Sequence, residues 1–234
     1  MILGIDTATE WLHLALVGSK SAWTRRVLTK PTYNASMALL PLADEIFCEA
    51  GAGRNDVSGV VACVGPGGFT SLRVGIATAE GFAVAGLSTW GFTAFELRAL
   101  SLSNQVQSGV VYVVLDGQRG EVFLQPWDME KRQSLKPAAK VPITELALTI
   151  GDNDWWTPER FRPKAASHVC SSPITLEDEG LATLDALVEL CRVCSKRPFE
   201  DQLLPLYLRE TDAEVNFPAA SAHLKDMHRC GLAR

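Results

Sequence analysis

At 234 residues, 47% of them hydrophobic and 21% charged, the chain carries enough apolar mass for two packed lobes of roughly 100–130 residues each. Its 22 basic and 27 acidic residues give a formal net charge of −5 with no basic tract, which argues against tight binding of a phosphate backbone by this chain alone. The start Met-Ile-Leu-Gly-Ile-Asp lacks a secretory flank, no uncharged apolar run has the roughly 18 residues of a membrane span, and six scattered cysteines form no dense disulfide framework. A reduced, cytoplasmic protein is expected.

In chain order, Ile2–Asp6 is a short apolar run ending in a carboxylate. Leu12–Val17 and Ala22–Leu28 follow as strands, split by Gly18-Ser19-Lys20 as a hairpin turn would split them. Ala35–Ala50 has apolar residues at helical spacing, and Pro41 within it implies a late start or a kink. Val57–Val64 reads as a buried strand leading into Gly65-Pro66-Gly67-Gly68-Phe69-Thr70, and Ser71–Ala85 as a helix rich in small residues. Leu87–Gly91 and Thr93–Leu102 close this half as strand and helix.

A second series opens after the polar stretch Ser101–Ser108. Val110–Leu115, ending at Asp116, pairs with Glu121–Trp127 across a glycine-containing turn. Val141 marks a third strand, Ile143–Thr149 a short helix, Asp152–Pro163 a turn-rich segment, and Leu181–Lys196 an amphipathic helix. An Asp ends the first strand of each half, at Asp6 and Asp116. This weak duplication predicts an α/β protein of the actin-like ATPase superfold, with two ribonuclease H-like lobes around a cleft. The lobes are 1–103 and 104–215, with helix 181–196 packing back on the first, and 216–234 is a mobile tail.

Two segments could carry phosphate chemistry. Asp6-Thr7-Ala8-Thr9 follows a strand, where an Asp can serve Mg²⁺ and small or hydroxyl residues can approach a phosphate; the plainer reading is a strand end with a capped turn. Gly65, Gly67, Gly68 and Thr70 could form a phosphate loop at a helix N-terminus. They match neither the Walker nor the dinucleotide pattern, and a tight turn with Thr70 capping the helix accounts for them as well. Cys191 and Cys194 lie inside a helix without a second pair and read as core. His223, His228 and Cys230 stand in the tail. No GxSxG, HExxH or Cys–His set is present.

Ile5-Asp6-Thr7-Ala8-Thr9, Gly65 to Gly75 (GPGGFTSLRVG), Gly120-Glu121-Val122-Phe123 and Pro205-Leu206-Tyr207-Leu208-Arg209 together resemble the motifs of the TsaB family, in the same order and at similar separations. GPGGFTSLR is the most specific. Ser71 stands where Gly is usual, and Asn34-Ala35 where many relatives carry a His.

The resemblance implies a glycoprotease-like, non-catalytic paralogue of TsaD that acts in threonylcarbamoyl modification of tRNA adenosine. Its implied partners are a TsaD-like catalytic subunit and a TsaE-like ATPase, with tRNA reached only through the complex and ATP and Mg²⁺ held at the level of the complex. A homodimer stays open. The residues agree with a silent role: helix Ala35–Ala50 has no histidine, and only Gly151 lies between Gly120 and Gly180, so no adenosine loop is visible. The alternatives are a nucleotide-binding actin-like ATPase or kinase, and a peptidase. For the partner interface, Ser71, Gly75, Ala79 and Ala83 recur every fourth residue as a ridge of small side chains. Met37, Leu40 and Phe47 are the expected contacts on the preceding helix.

Overall fold

A computed structural model describes residues 1–29, 34–200 and 202–208. Its first sheet contains β1 (Ile2–Asp6), β2 (Trp11–Val17), β3 (Ala22–Leu28), β4 (Gly59–Gly65) and β5 (Ser88–Thr93), in the order β3-β2-β1-β4-β5. The two hairpin connections make β1, β2 and β3 antiparallel, and β4 and β5 join in parallel through helical crossovers. Leu3, Ile5, Leu12, Leu14, Leu16, Val60 and Val61 are fully buried, as strands covered on both faces require.

Helices α1 (Ala35–Glu49) and α2 (Phe69–Val84) cover one face of this sheet. The other face is covered by α3 (Ala94–Leu102) and α6 (Glu179–Cys194), so α6 packs on the first lobe although it follows the second in sequence. Gly4 on β1 leaves the space that Leu187 and Cys191 of α6 fill. Both Cys191 and Cys194 are free and fully buried, and burial pushes the Cys194 thiol up to about 12.

Asn34 starts α1 by accepting the Ser36 and Met37 N–H groups on its side-chain oxygen, and the helix runs through the exposed Pro41 without a late start. For α2 the expectation needs correcting. Its N-cap is Gly68, which offers no side chain, so Thr70 lies in the first turn and is not the cap.

The second sheet holds β6 (Val110–Gln118), β7 (Glu121–Asp128), β8 (Gln133–Ser134) and β10 (Asp154–Trp156) in the order β10-β6-β7-β8, with β9 (Ala139–Pro142) also paired to β7. Short helices α4 (Leu146–Ile150) and α5 (Arg162–Ala166) cover its outer face, around Val114, Val122, Leu124 and Trp155. Val113, Leu115, Phe123, Trp127 and Trp156 belong instead to the large cluster of the first lobe, so one core runs through both. The segment expected to be turn-rich also contains β10, which pairs in parallel with β6 and buries both tryptophans completely. The tail 216–234, with His223, His228 and Cys230, and Arg209 of the last motif lie outside the described residues.

Candidate functional site: the interlobe cleft

A cleft of about 1820 Å³ opens between the lobes. Its walls are the turn after β1, the β4–α2 loop, the β6–β7 turn at Asp116–Arg119, residues 158–164, the first turn of α6, and Leu206–Leu208.

Asp6 lies beneath the cleft with no exposed surface. One carboxylate oxygen accepts the Ala8 N–H at 3.0 Å. The other meets His13 Nδ1 at 3.1 Å and Arg98 Nη2 at 3.4 Å. Arg98 is 3% exposed and also donates from Nη1 to the Thr183 hydroxyl of α6 at 2.8 Å. Burial by itself would raise the Asp6 carboxyl, but the His13 hydrogen bond, the charge of Arg98 and the Ala8 N–H outweigh it and hold the group below its ordinary value. Burial also lowers His13, against the pull of Asp6. Neutral His13 then carries its proton on Nδ1 and donates it to a carboxylate whose counter-ion is a guanidinium.

The Asp6–Thr9 turn and the glycine-bearing β4–α2 loop touch each other. Gly68 N–H donates to Ala8 O at 2.9 Å, and a Cβ at Gly67 would overlap the Ala8 backbone. Gly65 has φ of 110°, a conformation that suits glycine, and Leu206 N–H closes on Val64 O at 2.7 Å just beside it. The β4–α2 loop is therefore held between the Asp6–Thr9 turn and the C-terminal strap. Thr9, Gly67 and Gly68 line the cleft, whereas Asp6, Thr7 and Gly65 are buried below it and Thr70 is exposed outside it. The residues expected to touch a phosphate are thus split between the cleft wall and its foundations. Among the described residues no three His, Cys, Asp or Glu side chains cluster as metal ligands.

The expected interface residues also divide. Met37 and Leu40 are 55% and 56% exposed on α1. Phe47 is buried, which corrects its assignment to the surface. On α2, Gly75 and Ala79 face the sheet: Ala79 has no exposed surface, and a Cβ at Gly75 would collide with the Thr7 hydroxyl. Their smallness lets the helix approach β1. Ser71 and Ala83 are half-buried at the margins. The exposed line of α2 is Arg73, Ala77, Gly81 and Val84, on the opposite side of the helix.

Sequence reasoning missed His13, Arg98 and Thr183. His13 is the one polar residue in the apolar run of β2, a signal that could have pointed to it, whereas Arg98 and Thr183 stand in helices that carry other polar residues and give no such signal. It also missed that two of the quoted motifs meet: Arg73 Nε donates to Tyr207 Oη at 3.0 Å, with the guanidinium 3.8 Å above the Phe69 ring.

A family model described as TsaD, tRNA N6-adenosine threonylcarbamoyltransferase, matches residues 32–141. The tRNA threonylcarbamoyladenosine biosynthesis protein TsaB of Haemophilus influenzae is 30% identical over 142 residues, 57% of this chain and 56% of that protein. The TsaB of Escherichia coli is 29% identical over 123 residues, 52% of each chain. The chain thus spans about half the length of the curated relatives it matches. YeaZ from Pseudomonas aeruginosa superposes with a TM-score of 0.71 at 20% identity, over 88% of this chain and 99% of that one. That likeness shows the fold, which is the actin-like one expected from the duplicated pattern.

Proposed function

We propose that the chain is a member of the TsaB family and a non-catalytic partner subunit in threonylcarbamoyl modification of adenosine 37 of tRNA, a reading that its similarity to TsaB proteins over about half their length supports. Its catalytic counterpart would be a TsaD-like chain, with a TsaE-like ATPase joining the pair and tRNA held by the complex. One observation carries the silent half of this reading. The carboxylate that the actin-like ATPases turn toward their metal is here fully buried and bound to Arg98, His13 and the Ala8 N–H. A guanidinium occupies one side of it, and the neighbouring glycine loop packs on Ala8 without a gap for a phosphate oxygen. No helix among the described residues is long and apolar enough to cross a membrane.

The partner surface follows from the exposure of α1 and α2. Met37 and Leu40 stand out beside a line of α2 in which Ala77 and Gly81 leave room for a second helix, and Val84 is 91% exposed. A helix of the TsaD-like chain, or α1 and α2 of a second copy, would lie there. A large cation at Ala77 separates this outer face from the inner one. Ala77→Arg should abolish co-purification with the TsaD-like partner and leave the thermal midpoint within a few degrees. Ala79→Arg should fail to fold, because it buries an unpaired charge against the sheet.

Reconstitution tests the function. Modified tRNA should form with the TsaD-like and TsaE-like partners present and fall to background when this chain is omitted. The chain alone should hydrolyse neither ATP nor peptides. Hydrolysis that survives repurification and disappears in Asp6→Asn would establish the enzymatic alternative.

A further inference from the structure

Asp6, His13 and Arg26 are lateral neighbours across β1, β2 and β3, with Asp6 opposite His13 and His13 opposite Arg26. Laterally paired residues project from the same face of a sheet. This row therefore lies on the face covered by α6, where Arg98 joins it from α3. With Asp6 ionised, Arg98 and Arg26 charged and His13 neutral, the cluster carries one cation more than it has anions.

That surplus sits on Arg26. Its guanidinium stacks 3.6 Å from the centroid of the Trp11 ring and presses so closely on α6 that a Cβ at Gly180 would overlap Nη1 and Cζ. Among the described residues it has no ion pair and no hydrogen bond, and its Nε is buried without a partner. The Nε of Arg98 is likewise buried and unpartnered, and Arg98 binds Thr183, three residues from Gly180 on the same face of α6. Two guanidinium groups thus attach to adjoining positions of one helix, and both line the interlobe cleft.

The nearby carboxylates are engaged elsewhere. Glu10 pairs with Arg160 at 3.6 Å, Asp178 caps the Leu181 N–H at 2.9 Å, and Glu179 accepts the Glu159 N–H at 3.0 Å. Asp116 accepts the Gln118 N–H at 2.8 Å. The first turn of α6 adds partial positive charge of its own. A mostly buried cation without a counter-ion is unfavourable, and the open side of this one is the cleft.

We propose that Arg26, backed by Arg98, receives one oxyanion group, a carboxylate or a phosphate, that enters through the interlobe cleft. The planar fork of a guanidinium suits either by paired hydrogen bonds, and the Trp11 ring fixes its plane. The site holds whether or not the chain is catalytic, because it uses none of the chemistry assigned to a partner.

The test uses the full chain labelled with ¹⁵N, with the Arg26 Nε–H resonance assigned by its loss in Arg26→Lys. Inorganic phosphate and acetate are titrated separately, with sodium chloride holding ionic strength constant. A saturable shift of that resonance is expected. Saturation by phosphate alone identifies a phosphate ligand, and saturation by acetate identifies a carboxylate one. Arg26→Gln should weaken binding, followed by calorimetry, about tenfold or more. Lys140→Gln, which breaks the remote pair with Glu121, should leave it unchanged. No shift beyond that of chloride, or equal affinity in Arg26→Gln, overturns the site. Should Arg26→Gln not fold, the wild-type titration decides alone.

Discussion

Asp6 ends the first strand of its lobe and Asp116 stands two residues before the end of its own, and locally they do the same thing. Each accepts, on Oδ1, the backbone N–H two residues ahead: Ala8 at 3.0 Å for Asp6, and Gln118 at 2.8 Å for Asp116. This Asx turn is a property of the residue type, and it survives in both lobes. Their surroundings then diverge. Asp6 is sealed under α3 and α6 with Arg98 and His13 on its second oxygen, whereas Asp116 is exposed on the cleft wall. The duplicated lobes keep a common way of turning the chain, and what each carboxylate can do electrostatically depends on elements far away in sequence.

Removing the buried member should have the larger effect. Asp6→Ala leaves Arg98 without its anion and His13 without its acceptor, both inside the core. Breaking a buried pair from one side costs about 3–5 kcal/mol, a large share of a typical domain's stability. Urea unfolding should show that loss, or the variant should be insoluble. Asp6→Asn keeps the turn but not the charge and should fall between the two. An Asp6→Ala chain as stable as the parent would mean that the cluster adds nothing to the fold.

Acid should expose the same asymmetry. His13 is held below its ordinary value by burial, so between its unfolded and folded values the unfolded chain binds the extra proton. Stability from this group is full above about pH 6.5 and declines as the pH falls below it. Asp6, also lowered, adds a second decline that begins nearer its ordinary value of 3.8. Thermal midpoints from pH 7.5 to 5 should therefore drop in the parent, at a slope of at most about 1.4 kcal/mol per pH unit for one proton. His13→Gln should flatten this range, whereas changes at Asp116 should not.

The sequence made much of the first lobe readable, because its strands are long apolar runs between turn residues and its helices show regular spacing. Three things were not readable. Trp155 and Trp156 lack the alternation of a strand, and β10 has only three residues, so pairing with β6 defines it. On α2 small residues recur on both sides, at Gly75 and Ala79 and again at Ala77 and Gly81, so spacing alone could not say which side meets the sheet. The cleft floor is assembled by contacts such as Arg98 to Asp6, across 92 residues, which no local pattern encodes. The turn at Asp6 was visible as chemistry, and its neutralisation was not.

The smallest effect belongs to Asp116. Its carboxylate is exposed on the cleft wall, and its hydrogen bond to the Gln118 N–H closes a turn that also uses the positive φ of Gln118, Arg119 and Gly120. In Asp116→Ala the Gln118 N–H can turn to solvent, so no buried group is left unsatisfied, and an exposed change of this kind costs roughly 0.5 kcal/mol or less. The second sheet should stay intact, since β6 and β7 are held by buried Val113, Val114, Val122 and Leu124 on both faces. Urea midpoints should shift within error of the parent. A loss approaching that of Asp6→Ala would mean that Asp116 is buried against another element in solution and that the two carboxylates are equivalent after all.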